Sequence, residues 1–387
     1  MQTSLNLPLF ILEKSSRLGL IFLFFLISCT QLVGFQLDKA LMVLLTGVLM
    51  LHYFLQGKKV PTNAFLLIIL TLLLAFVSYL VNLPNSSLII FFPVIGLVFV
   101  TLSSEEPDML DLIYWGLFLH VLLGVLFVFS SYLFGINSFV HPMYDKGLPF
   151  LHAAKGLTTT VQAFGTLIIS WFLIYYFRKS NSQIRKIDKL CYSIVFLGLV
   201  LTFNRNSFLI FYILLFFQHK RIFWLTVLAA FGFYLYFFEF INKLIFNLST
   251  LNSRADLLQA FRIAFFEKTN WMEYMIGHGN NIVGDEIAKN TVYNTGYIEN
   301  GTSVLLYTYG FLGYFMYLVA VFVFSLLFFQ KRKYFFASMF FYVFVIAQQF
   351  THEFYSTTIY LMIAVFILIY NQTSQIGTKD SFLSSSK

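Results

Sequence analysis

Seven ionisable residues in an otherwise apolar chain could do chemistry together: Arg205, Arg254, Arg262, His278, Glu299, His352 and Glu353. A guanidinium stays charged when desolvated and pairs bidentately with phosphate oxygens, so the three arginines suit an anionic lipid headgroup. A histidine or carboxylate beside them can take a proton from a hydroxyl. A blander reading stands next to this one. Arg254 can pair locally with Asp256 and Arg262 with Glu267, Glu299 and His352 can be ordinary solvated charges at helix ends, and the glycines around His278 can simply make a turn.

The elements that must position these groups are membrane helices. Of 387 residues, 59% are hydrophobic and only 11% charged, too little charge for the surface of a water-soluble chain of this size. The apolar runs are continuous rather than alternating, and in lipid each backbone polar group must be satisfied within its own segment, so they are read as helices. Runs of near-spanning length cover roughly 18–35, 40–56, 64–81, 86–103, 110–134, 158–177, 190–203, 207–217, 222–239, 302–329, 334–350 and 355–370, about twelve in all. The expected fold is an all-α polytopic transmembrane bundle in one integral membrane domain, 1–387. The net charge of +8 lies in clusters between spans, not in a nucleic-acid-binding patch. Placing both termini in the cytoplasm keeps Lys58-Lys59, Arg178-Lys179, Arg185-Lys186, Lys189, Lys220-Arg221 and Lys331-Arg332-Lys333 inside.

Residues 190–217 give a geometric hint. Two full crossings at 1.5 Å per residue need about 40 residues, and this stretch has about 28. Reading it as one crossing would export the later basic clusters, so two short helices are expected. Their turn, Asn204-Arg205-Asn206, would then lie below the outer membrane surface, where charge persists only in a protein-lined or water-filled cavity. Two outer loops, about 135–157 and 240–301, are long enough to hold structure. In the larger, Ser253 with Asp256 reads as a capping box, and Leu257, Leu258, Phe261, Ala264 and Phe265 follow at the spacing of an amphipathic helix. Gly277-His278-Gly279-Asn280-Asn281 and Asn294-Thr295-Gly296 read as turns, and 371–387 as a disordered cytoplasmic tail.

Other chemistries leave no trace. The sequence has no phosphate-cradling glycine loop before Lys-Ser/Thr and no helical His-Glu-x-x-His. Cys29 and Cys191 both sit in apolar runs, so neither a disulfide framework nor a cysteine metal site is expected. Glu105-Glu106-Pro107-Asp108 with Asp111 is placed on the cytoplasmic side as a solvated loop. No metal or cofactor is expected. The long outer loop is close to neutral, so anion capture there has to be local.

From about 200 to 315 the order of motifs resembles the bacterial O-antigen polymerase and ligase superfamily. An arginine in a short outer turn, Thr202-Phe203-Asn204-Arg205-Asn206-Ser207, precedes a large outer loop by one hairpin. The loop opens on Asn252-Ser253-Arg254-Ala255-Asp256 and continues to Ile276-Gly277-His278-Gly279. It closes on Glu299-Asn300-Gly301, before an apolar helix ending in Tyr309-Gly310-Phe311-Leu312-Gly313. The family often has His-Asn where this chain has Glu299-Asn300; the ligase branch relies on that histidine, so the departure favours polymerase.

This resemblance implies metal-independent glycosyl transfer at the periplasmic face of the inner membrane. An undecaprenyl-pyrophosphate-linked glycan is the implied donor and a second lipid-linked repeat unit the acceptor, with a flippase and a chain-length regulator as partners. Arg205 and Arg254, with Arg262, would hold the pyrophosphate. Glu299, or failing it His278 or His352, would act as base. Two alternatives stay open: an O-antigen ligase acting on lipid A-core, and a lipid-linked oligosaccharide flippase or other transporter, for which repeat symmetry and helices broken at the midplane are the marks.

Overall fold

A computed structural model describes residues 36–58, 60–83, 85–104, 108–143, 148–181, 183–238, 248–267, 269–280, 291, 300–349 and 354–384. For 148–149, 248–254 and 374–384 it describes the backbone alone. Glu299, His352, Glu353, Cys29 and the Asn294-Thr295-Gly296 turn lie outside these residues.

The helices in chain order are α1 Leu37–Leu55, α2 Thr62–Val81, α3 Phe92–Ser103, α4 Met109–Phe134, α5 Val161–Ser180, α6 Lys186–Thr202, α7 Arg205–Gln218 and α8 Lys220–Tyr236. They continue as α9 Leu248–Arg262, α10 Trp271–Ile276, α11 Gly301–Gln330, α12 Tyr334–Phe341 and α13 Thr357–Ser384. At 81% helix the described residues are nearly all-α. Five helices among the described residues are long and apolar enough to cross a bilayer: α1, α2, α4, α5 and α11. Leu88–Ser103, Arg205–Gln218, Tyr334–Gln349 and Thr357–Thr373 are apolar but shorter, so the expected count of about twelve is not reached on length and composition.

Three details depart from expectation. Residues 135–157 hold an antiparallel hairpin, β1 Val140–Met143 against β2 Leu148–Ala154, pairing Val140 with Ala154. The long-loop helix α9 starts at Leu248, five residues before the Ser253 cap. α13 continues past the end of its apolar run through Ser384, over the segment whose polarity marked it as disordered; a helix already nucleated adds residues cheaply. By contrast, the short pair is borne out: α6 and α7 have 17 and 14 residues and meet across Phe203–Asn204, with Phe203 left-handed at φ 49°.

α5 is the bundle's axis. It buries 15 of its 20 residues, from Ala163 to Arg178, and packs on α4, α6, α7 and α13. Phe217 lies 5.6 Å from Phe335, and Tyr176 6.4 Å from the same ring. The end of α5, the end of α7 and the start of α12 therefore share one end of the bundle. Lys331 reaches the Tyr370 carbonyl there, and Lys179 meets His219. Asp38 accepts from Thr357 at 2.9 Å, which aligns α1 with α13 and sends Lys58 to that same basic end.

Candidate functional site

The opposite end bears Arg205 and, through α10 and α11, the His278 turn. Arg205 starts α7, and the far end of α7 is beside the start of α12, so Arg205 lies at the same end as Gln349. Gln349 donates to Thr302 at 2.6 Å, and Asn300 caps α11 through Ser303 N–H at 3.0 Å while lying 3.5 Å from Gln349. These contacts fix the flanks of the Glu299 and His352 segments, which themselves lie outside the described residues.

The best-defined part of this end is built on a broken helix. Inside α11, Gly310 leaves helical geometry at φ 64°, ψ −167°. A break there interrupts the i to i+4 bonding that carbonyls one turn earlier would otherwise receive. The freed carbonyls are taken by the glycine turn after α10: His278 N–H donates to Tyr307 O at 2.7 Å and Gly279 N–H to Thr308 O at 3.2 Å. Ser78 Oγ also donates to Thr308 O, and Asn82 Nδ2 donates to Gly277 O at 2.9 Å. Thr308 Oγ1 returns a bond to Asn280 O, and Ser87 N–H donates to Gly279 O. Loop and α11 are thus joined mainly backbone to backbone, and α2 is tied to both by the Ser78 and Asn82 side chains.

Only glycine fits this junction. Gly277 and Gly310 both have positive φ, and a Cβ on Gly277 would fall against the Thr308 carbonyl. One on Gly310 would come within 2.5 Å of Met275 backbone. The reading of the His278 glycines as a mere surface turn is therefore incomplete: they let two backbones touch.

His278 is held in a defined orientation. Its ring stacks on Tyr307 at 4.2 Å and 19°. Nε2 lies 3.1 Å from Thr269 Oγ1, and that hydroxyl gives its one hydrogen to Ala264 O. Nε2 must then be the donor, which turns Nδ1 toward Glu273, 4.0 Å away. Glu273 in turn accepts from Asn270 N–H and caps α10. A carboxylate facing the unprotonated ring nitrogen stabilises an imidazolium, the state a proton-accepting histidine passes through.

Two departures from α geometry lead into this end, the π turns Ile263–Glu267 and Tyr342–Ile346; π turns recur at functional sites. The apolar face expected of α9 forms in part: Phe261 is buried, as are Ala264 and Phe265 in the π turn that follows, but Leu257 is half-buried and Leu258 is exposed. Arg254 lies on this helix, described by backbone only, and Arg262 is exposed in its last turn. Arg205 is exposed at the first position of α7, where Asn204 caps through Asn206 N–H. The structure brings His278 to α11 and places Arg205 at the same end of the bundle.

Sequence reading passed over several groups. Ser78 and Asn82 carry a signal in hindsight, two polar residues one turn apart at the end of an apolar helix. Lys155, which follows β2, is only 8% exposed; β2 packs on α6, which leads into the Arg205 turn. Burial lowers the Lys155 pKa, and among the described residues no carboxylate pairs with it. Next to the Gly310 break is an apolar cavity of about 240 Å³ whose walls include Leu74, Leu97, Tyr309, Gly313 and Tyr360.

The other end holds a different polar group. Arg178 donates to Asp111 at 2.7 Å, lies 3.7 Å from Asp188 and stacks over Tyr114 at 4.3 Å. Tyr114 donates to Asp188, which also accepts from Arg185 N–H. Asp111, expected as part of a solvated acidic loop, is thus an ion-pair partner. Among the described residues no group of three or more histidine, cysteine or acidic residues is arranged to hold a metal ion. In comparisons with known proteins, no family model matches this sequence and no curated protein matches it either.

Proposed function

We propose that this chain is an oligosaccharide repeat-unit polymerase of the O-antigen type, a metal-independent glycosyltransferase working at the outer face of a bacterial inner membrane. The observation that carries the reading is the His278 turn locked onto the broken helix at Gly310. It supplies an oriented base in a glycine-built junction, at the bundle end that also bears Arg205. The finer layout belongs to the same proposal: about twelve crossings, cytoplasmic termini and a periplasmic loop at 240–301.

In this reading an acceptor hydroxyl on one lipid-linked repeat unit attacks the anomeric carbon of the donor glycan. The new glycosidic C–O bond forms as the bond to pyrophosphate breaks, and undecaprenyl pyrophosphate leaves with the electron pair. Arg205 and Arg254, with Arg262, carry the charge that develops on it. The hydroxyl proton goes to His278 Nδ1 or to Glu299; His352 is the third candidate. The apolar cavity beside Gly310 suits part of a prenyl chain, which supports a substrate that approaches from the bilayer. A flippase and a chain-length regulator are the expected partners.

The test is the glycan made by cells lacking the protein. Single repeat units on lipid A-core support polymerase; long chains left unligated would assign the protein as a ligase instead. The break at Gly310 also favours one reading of another class, since transporters place broken helices at their sites. Movement of a lipid-linked repeat unit across vesicles that contain the purified protein and no acceptor would favour transport.

A further inference from the structure

α8 buries none of its 17 residues. It is held to the bundle through α7, with Phe223 at 5.2 Å from Phe216 and 6.3 Å from Tyr212. Where it stands off, a cleft of about 400 Å³ opens between α5, α6, α7 and α8, within the roughly 300–1,000 Å³ typical of small-ligand sites. Its walls are mainly aromatic and aliphatic, including Tyr175, Tyr192, Phe208, Phe211 and Leu215. Water is a poor filler for such walls because it needs polar partners, and an empty cleft forfeits dispersion contacts.

The polar end of the cleft is cationic. Lys179 Nζ lies 2.8 Å from His219 Nε2, so the ammonium donates and the imidazole accepts as a neutral ring. Burial, with the neighbouring Lys179 ammonium, holds the His219 pKa below its usual value. No carboxylate lines the cleft, and Lys220 and Arg221 follow directly in sequence. Two basic groups hydrogen-bonded to each other can both be satisfied by one anion, which lets the imidazole accept a proton.

We propose that this cleft binds an anionic diacyl glycerophospholipid, with a net-negative headgroup, its phosphate unbalanced by any cation of its own, against Lys179 and His219 and an acyl chain between α7 and α8. The lipid fills the gap beneath α8 and ties that helix to the bundle. The site is separate from the His278 end and does not depend on the glycosyl-transfer reading.

The experiment is native mass spectrometry of the full chain, delipidated in detergent and titrated with phosphatidylglycerol or with phosphatidylcholine of the same acyl composition. Phosphatidylglycerol is expected to be retained about tenfold more strongly, the scale of one or two basic contacts to a lipid headgroup. Lys179→Met combined with His219→Leu should bring it down to the phosphatidylcholine level, with the melting temperature of the lipid-free protein unchanged. Leu215→Trp, which fills the cleft, should weaken both lipids, and Lys189→Gln on the exposed surface should change neither. Equal retention of the two lipids by the wild type, or full retention of phosphatidylglycerol by the double variant, overturns the proposal. So does displacement of phosphatidylglycerol by equimolar undecaprenyl phosphate, which would give the cleft to a prenyl carrier.

Discussion

The two polar clusters at opposite ends of the bundle are built by different means. Around Arg178 the parts are charged side chains that neutralise one another: Asp111, Asp188 and the Tyr114 face and hydroxyl surround one guanidinium. Around His278 backbone groups are brought together by glycines and tied to α2 by the uncharged Ser78 and Asn82 side chains, with a helix broken to supply the acceptors. The first arrangement pairs charge with charge at the rim of a polar cleft of about 460 Å³ lined by Asp111, Arg178 and Arg185, with the Asp111 side chain 58% exposed. The second spends helical hydrogen bonds and positive-φ geometry to hold one imidazole still, a cost that folding alone does not require.

Substitutions separate these roles. Arg178→Met should have the largest effect on stability, about 3–5 kcal/mol, because it removes the counter-charge of the buried Asp188 carboxylate and leaves it only the hydrogen bonds from Tyr114 and Arg185; a thermal melt of the purified protein reads it. Gly310→Ala and Gly277→Ala come next, at roughly 1–3 kcal/mol each for forcing a side chain into positive φ against backbone. Gly47→Ala, where a Cβ meets nothing within 4 Å, should by comparison be neutral or stabilise by about 0.5–1 kcal/mol. If Gly310→Ala were as mild as Gly47→Ala, the junction would not be the constrained element described here. Asn82→Ala removes the donor to Gly277 O and should cost about 1 kcal/mol, the scale of one hydrogen bond. His278→Gln should cost about as much as Asn82→Ala, near the roughly 0.5–1.5 kcal/mol of its stacking on Tyr307. Its effect on chain growth should nonetheless be about a hundredfold or more, the scale of a lost acid–base group. Reversal of that order, with His278→Gln unfolding the protein and leaving specific activity intact, would make the two ends alike.

Much of the scaffold was legible because lipid imposes a simple rule on sequence: long apolar runs are helices, and their boundaries at α1, α2 and α4 fall within a few residues of the expected ones. The short pair α6 and α7 was legible from the length of its stretch together with the basic clusters that follow it. The hairpin at 140–154 was not, since outside the bilayer the backbone is free to pair in ways that apolar periodicity does not report. Nor was the Arg178 cluster, because a positive-inside count treats each basic residue as a loop charge and says nothing of what a guanidinium meets once folded. The glycines of the His278 turn and Gly310 were both picked out as motif members, but their direct contact was not. A close approach between residues more than thirty apart depends on how α2, α10 and α11 pack, which local sequence does not encode.

The central claim is that the His278 end performs transfer between lipid-linked glycans. It is tested most directly by reconstituting the purified chain with undecaprenyl-pyrophosphate-linked repeat units and measuring product length. The account predicts polymer from the wild type, and unextended repeat units from His278→Gln, Arg205→Lys and Arg254→Lys variants that melt like the wild type. Polymer of normal length and yield from all three variants would contradict it.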